Sequence, residues 1–185
     1  GFRKVPVIRR PKVVVFSTGT ELYLPGDELP PYGIYDSNSY QLTAMAQSNS
    51  ASVENRGILG DDQREITAAL DRAIREADLV IVSGGVSMGD LDFVPAGLLE
   101  IGAGIHFHGL AVKPGKPTLF ATHGDTLVFG LPGNPVSTAA QFEFFIAPAL
   151  HALQGLTYKP REAHLPLARP FKRTNADRHE FLPGY

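Results

Sequence analysis

The chain has 185 residues, 43% of them hydrophobic and 19% charged, and a formal net charge of -2, the composition of an ordinary soluble globular domain long enough for one good core. That near-neutral balance gives no support to a nucleic-acid or polybasic membrane surface. The absence of cysteine excludes disulfides, thiol nucleophiles and cysteine metal sites. No apolar run approaches membrane-spanning length and the start Gly1-Phe2-Arg3-Lys4 lacks the shape of a secretory signal, so a cytoplasmic protein is expected.

Residues 1–11 are basic and Pro-containing and read as a linker arriving from a missing N-terminal region. Residues 12–17 form a Val-rich run ending at Thr18-Gly19, the pattern of a buried parallel strand and its turn. Asp36-Ser37-Asn38 offers caps for a helix reaching about Ser48, and a strand is expected over 53–59. The clearest helix follows: Asp62 and Glu65 have capping-box spacing, and Ile66, Ala69, Leu70, Ala73, Ile74 and Ala77 recur with helical period. It hands over to a strand at 78–83 that ends in Gly84-Gly85, and a short helix is expected over 93–101.

Strands are then predicted at 105–112, 117–121 and 126–129. Asn134 caps a long final helix with Pro135 in its first turn, where a missing N–H is harmless. Phe142, Phe145, Ile146, Ala149 and Leu153 form its apolar stripe, and Pro148 is expected to kink it. The alternation of strand and helix predicts an α/β fold, a layered sandwich around a mostly parallel sheet spanning 12–155. Residues 163–168 read as a strand, and 156–185 as the first piece of a small C-terminal β domain.

Ligands of open α/β sheets bind at the carboxyl ends of the strands, and the loops there are the unusual ones. Thr18, Gly19 and Glu21 follow the first strand, Asp61 and Asp62 the second, and the run 83–92 the third. Ser83, Gly84, Gly85 and Ser87 supply amides and hydroxyls suited to phosphate, although a tight strand-to-helix turn also demands glycine. Pro132, Gly133, Asn134 and Pro135 aim a helix N-terminus at the same rim, and are equally what a good helix start requires. Lys113 and Lys116, on the stiff Lys-Pro-Gly-Lys-Pro turn, could neutralise an anion or be solvated turn residues. Glu21, Asp61 and Asp92 are acids of the kind that hold Mg²⁺ together with substrate phosphates. Asp62 has a competing role as a helix cap, Asp36 reads equally as a cap, and Asp90 as a solvated acid. His106 and His108 alternate along a strand and would face one side, where two surface histidines are the simpler reading than a metal pair.

Taken in order, these loops resemble the molybdopterin molybdenumtransferase family (MoeA and the E domain of gephyrin). The stretches that carry the likeness are 16–22, Ile34-Tyr35-Asp36-Ser37-Asn38, Gly57-Ile58-Leu59-Gly60-Asp61-Asp62, 82–93, 112–117 and 130–137, with Arg178-His179-Glu180-Phe181 resembling the start of the family's C-terminal β domain. The resemblance implies the molybdopterin-binding fold and an enzyme of molybdenum cofactor biosynthesis. That enzyme inserts molybdate into adenylylated molybdopterin in a Mg²⁺- or Zn²⁺-assisted step and releases AMP. By the same resemblance Glu21, Asp61 and Asp92 are catalytic and metal-handling acids, and Ser83, Gly84, Gly85 and Ser87 form the pterin and phosphate loop. Thr18 and Gly19 join it in binding substrate, Lys113 and Lys116 match the basic loop, and Pro132, Gly133, Asn134 and Pro135 match the proline loop. A homodimer that completes the site, and contact with the molybdopterin adenylyltransferase, are implied as partners. The alternatives are that adenylyltransferase itself, a gephyrin-like scaffold, or a hydrolase of the competence-damage type on the same sandwich.

Overall fold

The two faces of the sheet can be read from single strands. In β1 (Lys12–Thr18), Val13 and Val15 point to one side and Val14 and Phe16 to the other, and all four are buried. A strand buried on both faces needs a layer above and below it. The computed structural model, which describes residues 1–87, 93–172, 177–182 and 184, supplies both layers.

After β1 come two short strands, β2 (Leu22–Tyr23) and β3 (Ile34–Tyr35), then α1 (Asn38–Ser48), β4 (Ser52–Leu59), α2 (Gln63–Glu76) and β5 (Leu79–Ser83). There follow α3 (Phe93–Glu100), β6 (Gly104–His108), β7 (Val112–Lys113), β8 (Leu119–His123) and β9 (Thr126–Leu131). The final helix runs as α4 (Pro135–Gln141), a π-helical turn at Phe142–Ile146 and α5 (Ala147–Leu153), and β10 (His179–Glu180) closes the series. The main sheet has the order β4-β1-β5-β9-β8-β6. Its first four strands are parallel, and β8 runs antiparallel to both neighbours.

On one face, Val14, Phe16, Val80 and Val82 pack against Ile66, Leu70 and Ala73 of α2 and Val94 and Leu98 of α3. On the other, Val13, Val15, Leu79 and Ile81 meet Leu42 and Ala46 of α1 and Phe142, Ile146 and Leu150 of the last helix. Each fully buried Leu, Ile or Phe contributes roughly 2 kcal/mol, so the two layers hold the strand ends firmly. The α/β sandwich with a mostly parallel sheet is therefore as expected.

Local chemistry explains the helix starts. Asp62 accepts from the Glu65 amide at 2.9 Å, and Asn134 accepts from the amides of Val136 and Ser137. At the opposite end of the sheet, the Arg9 guanidinium bonds Asp78 and, despite partial burial, holds its carboxyl below the usual carboxylate range.

Four expectations change. Pro148 cannot donate an amide hydrogen, and the turn before it widens so that the Ala147 amide reaches the carbonyl of Phe142. The strand expected over 105–112 breaks at Gly109, whose amide turns to the Thr118 carbonyl, leaving β6 and β7 as separate pieces. Residues 163–168 form no strand, because no neighbouring strand pairs with them, and Leu165 and Leu167 stand 81% and 75% exposed. Lastly, a register irregularity between Ile105 and Phe107 breaks the alternation of the histidines. His106 bonds Thr122 and stacks on Phe120, while His108 bonds the Val86 carbonyl at 2.8 Å, on the other face.

Candidate functional site

Strand register fixes where the loops emerge. Thr18 pairs with Leu59, Ser17 with Ser83 and Ser83 with Leu131, so β1, β4, β5 and β9 end level with one another. The loops that leave these four ends enclose a cleft of about 330 Å³, lined by Thr18, Gly19, Glu21, Leu22, Ile34, Asn38, Asp61, Ser83, Gly84, Gly85 and Gly133.

Gly84 and Gly85 lie directly on the end of β1. A Cβ on Gly84 would stand 2.4 Å from the Thr18 carbonyl oxygen, and its φ of +91° is one that other residues rarely adopt. The Gly84 amide donates to the Leu131 carbonyl at 2.9 Å, which ties the glycine loop to the strand feeding the proline loop. Beneath them Asp36, almost fully buried, accepts from the Ser17 hydroxyl at 2.9 Å and from the Ser39 amide at 3.0 Å. It caps α1 from two residues before the first helical position, and Ser37 makes no side-chain cap.

Asn38 joins the loops across the cleft. Its Nδ2 donates to Ser83 Oγ at 2.8 Å and to the Gly133 carbonyl at 2.7 Å. Its Oδ1 accepts nothing from the protein, and neither does the buried hydroxyl oxygen of Thr18. The two carboxylates on the cleft, Glu21 and Asp61, come from exposed loop positions. Asp61 is oriented by Thr20, whose amide and hydroxyl both donate to Oδ2 at 3.3 and 3.1 Å.

Of the residues singled out from sequence, Thr18, Gly19, Glu21, Asp61, Ser83, Gly84, Gly85 and Gly133 converge on the cleft. Ser87 is exposed away from its lining, and Pro132, Asn134 and Pro135 frame Gly133 without lining it. Asp92 lies outside the described residues. Lys113 and Lys116 are exposed on the neighbouring loop and do not line the cleft. Lys113 instead pairs with Glu180 at 2.8 Å, where β10 runs beside β7. Among the described residues no three His, Asp or Glu side chains cluster as a metal site.

The donor set on the cleft, the two carboxylates of Glu21 and Asp61, is too sparse for a structural zinc site. It fits a hard cation that completes its coordination with water and other oxygen ligands. Sequence reasoning missed Leu22, Ile34 and Asn38. Asn38 read as part of a cap, and its partners Ser83 and Gly133 are 45 and 95 residues away, beyond any local pattern. No helix among the described residues is long and apolar enough to cross a membrane.

Known proteins carry the same architecture. A Molybdopterin molybdenumtransferase from Nostoc sp. is 41% identical over 156 residues, 83% of this chain and 36% of the relative. A molybdopterin biosynthesis MoeA protein from Pyrococcus horikosii superposes with a TM-score of 0.72 at 34% identity, over 79% of this chain and 36% of that one. The molybdopterin biosynthesis enzyme MoaB of Thermus thermophilus shares the fold alone, with a TM-score of 0.58 at 17% identity over 80% of this chain and 99% of that one. The chain thus spans little more than a third of the length of the transferase relatives it matches. Residues 14–152 match the family model described as the probable molybdopterin binding domain, and the chain belongs to that family.

Proposed function

We propose that this chain is the molybdopterin-binding part of a molybdopterin molybdenumtransferase, the enzyme that inserts molybdate into adenylylated molybdopterin and releases AMP. One observation carries the reading: loops far apart in sequence bring Glu21, Asp61, Ser83, Gly84, Gly85 and Gly133 to a single cleft at the carboxyl ends of the parallel strands. The transferase relatives at about 40% identity support the same choice.

In this reading the glycine loop and Gly133 set the floor on which the substrate lies. Glu21 and Asp61 hold a divalent cation, Mg²⁺ or Zn²⁺, which supplies charge neutralisation for the phosphates when bound. Asp92 is assigned with them from the sequence resemblance. Lys113 and Lys116 stand on the adjoining loop as point charges that offset the repulsion between molybdate and a phosphate-bearing substrate. The complete enzyme acts as a homodimer in the cytoplasm and receives its substrate from the adenylyltransferase. Residues 12–155 are the binding domain, 1–11 a linker and 156–185 the approach to a further β domain.

Titration calorimetry of the 185-residue chain with adenylylated molybdopterin in Mg²⁺ should give one-to-one binding. The double change Glu21→Ala with Asp61→Ala should weaken it at least tenfold in Mg²⁺ and far less in chelator. Joined to the remaining portions of the Nostoc relative, the chain should also support molybdate-dependent AMP release, and Glu21→Ala should abolish it. A chain that binds no adenylylated molybdopterin would sink the proposal.

A further inference from the structure

Asn38 stands at the first position of α1, 9% exposed, on the floor of the cleft. A carboxamide has two N–H donors, and both are in use, one on Ser83 Oγ and the other on the Gly133 carbonyl. A backbone carbonyl can only accept, so the Gly133 contact fixes which end of the amide is nitrogen. The oxygen is left without a donor from the protein. A buried acceptor in that state is costly unless something else completes it.

Its surroundings narrow what that can be. The charged groups on the same cleft, Glu21 and Asp61, are acceptors too. A phosphate or molybdate oxygen set against Asn38 Oδ1 would meet another oxygen with no hydrogen between them. A neutral N–H donor meets no such conflict. The two bonds from Nδ2 also hold the amide plane, which favours a donor lying in the plane of a ring.

We infer that Asn38 is a specificity-determining residue: Oδ1 accepts a hydrogen bond from an amino group on a planar heterocycle of the substrate, while Nδ2 clamps the Ser83 and Gly133 loops together. The inference rests on the proposed reading of this cleft. It adds that the ring end of the ligand, not its anionic part, lies over Asn38. Adenylylated molybdopterin offers two sources of such a ring, the purine and the pterin, and the chemistry at Asn38 is the same for either.

Four probes separate the sources. AMP and IMP differ by an amino group replaced with a carbonyl on the purine, and pterin and lumazine differ in the same way on the pteridine. Calorimetry on the full 185-residue chain should give a preference of about tenfold for the amino member of one pair, and that pair identifies the ring. Asn38→Ala should reduce the preference to within about twofold, the signature of a lost hydrogen bond to the ligand. Asn38→Asp keeps an acceptor but cannot donate to the Gly133 carbonyl, so it should weaken binding of both members while retaining the amino preference. This variant also decides the matter should Asn38→Ala fail to fold. A preference that survives intact in Asn38→Ala, or disappears in Asn38→Asp, overturns the inference. So does the absence of preference in both pairs for the unchanged chain. If none of the four probes binds, the reading of the cleft fails and this inference falls with it. Binding without amino discrimination removes the inference alone.

Discussion

In the proline loop the backbone faces the cleft, through Gly133, whose carbonyl is held by Asn38; in the lysine loop the side chains carry the charge, and one of them already has a partner in Glu180. Both loops are anchored to the same helix. The Thr138 hydroxyl of α4 donates to the Pro132 carbonyl at 2.6 Å, and Gln141 Nε2, one turn later, donates to the Pro114 carbonyl at 3.0 Å. Residues three apart on a helix share a face, so α4 sets the spacing between two loops that differ in chemistry. The lesson is that similar Pro-Gly sequences serve different ends. One loop presents backbone to the cleft, and the other holds cations on exposed side chains beside it. A test that damages one loop should therefore spare the other.

The largest expected effect comes from the cleft side. Gly84→Val would drive a β-branched residue into a left-handed conformation and its Cβ against the Thr18 carbonyl, and backbone cannot move aside cheaply. A loss of about 3 kcal/mol is expected, which corresponds to a fall of roughly 10 °C in Tm for a chain of this size. AMP and pterin binding should be lost with it. Molybdate binding at the lysine loop, measured below the new Tm, should persist. A variant that kept cleft binding would show that the glycine loop is not its floor.

Gln141→Ala strikes from the other side. The side chain is fully buried, its amide is the donor to Pro114, and Gly115 lies against it so closely that no Cβ would fit between them. Truncation leaves a part-buried carbonyl unpaired and a small void, for about 2 kcal/mol. The lysine loop loses its tether, so molybdate affinity at low salt should fall about fivefold. The amino preference ascribed to Asn38 should be unchanged, because Asn38 shares no partner with Gln141. If both readouts fell together, the two loops would form one site and the contrast between them would fail.

How much of this was legible in the sequence differs by range of interaction. The buried strands could be read because Val-rich runs such as Val13–Phe16 carry both faces in consecutive residues, and α2 because Asp62 and Glu65 act within one turn. The convergence of Glu21, Asp61 and the glycine loop followed from the rule about strand ends. Other features are decided by distant partners. The reversal of β8, the ribbon of β2 and β3, and the clamp of Asn38 all depend on pairings that no window of sequence contains. The strand expected over 163–168 is not formed, because a strand needs an edge to join and Pro166 has no amide to give to a ladder. The helical break before Pro148 was visible as a proline and invisible as a π turn, because the sequence marks the missing donor and not the path that avoids it.

The smallest expected effect lies at Lys113. Its side chain is 60% exposed, although that of its partner Glu180 on β10 is 16% exposed, so solvent screens the cation's end of the pair and its worth to the fold is small. Glu180→Gln should leave stability within about 0.5 kcal/mol. Removing the negative charge nevertheless frees the cation electrostatically while keeping a side chain of the same shape. Molybdate should then bind about two- to threefold more tightly at low salt, with the gain disappearing as ionic strength rises past the point where the Debye length falls below about 8 Å. Cleft ligands should not notice the change, since Lys113 does not line the cleft. An unchanged molybdate affinity would mean that Lys113 serves to seat β10 against β7, and would leave Lys116 as the loop's cation for an anionic ligand.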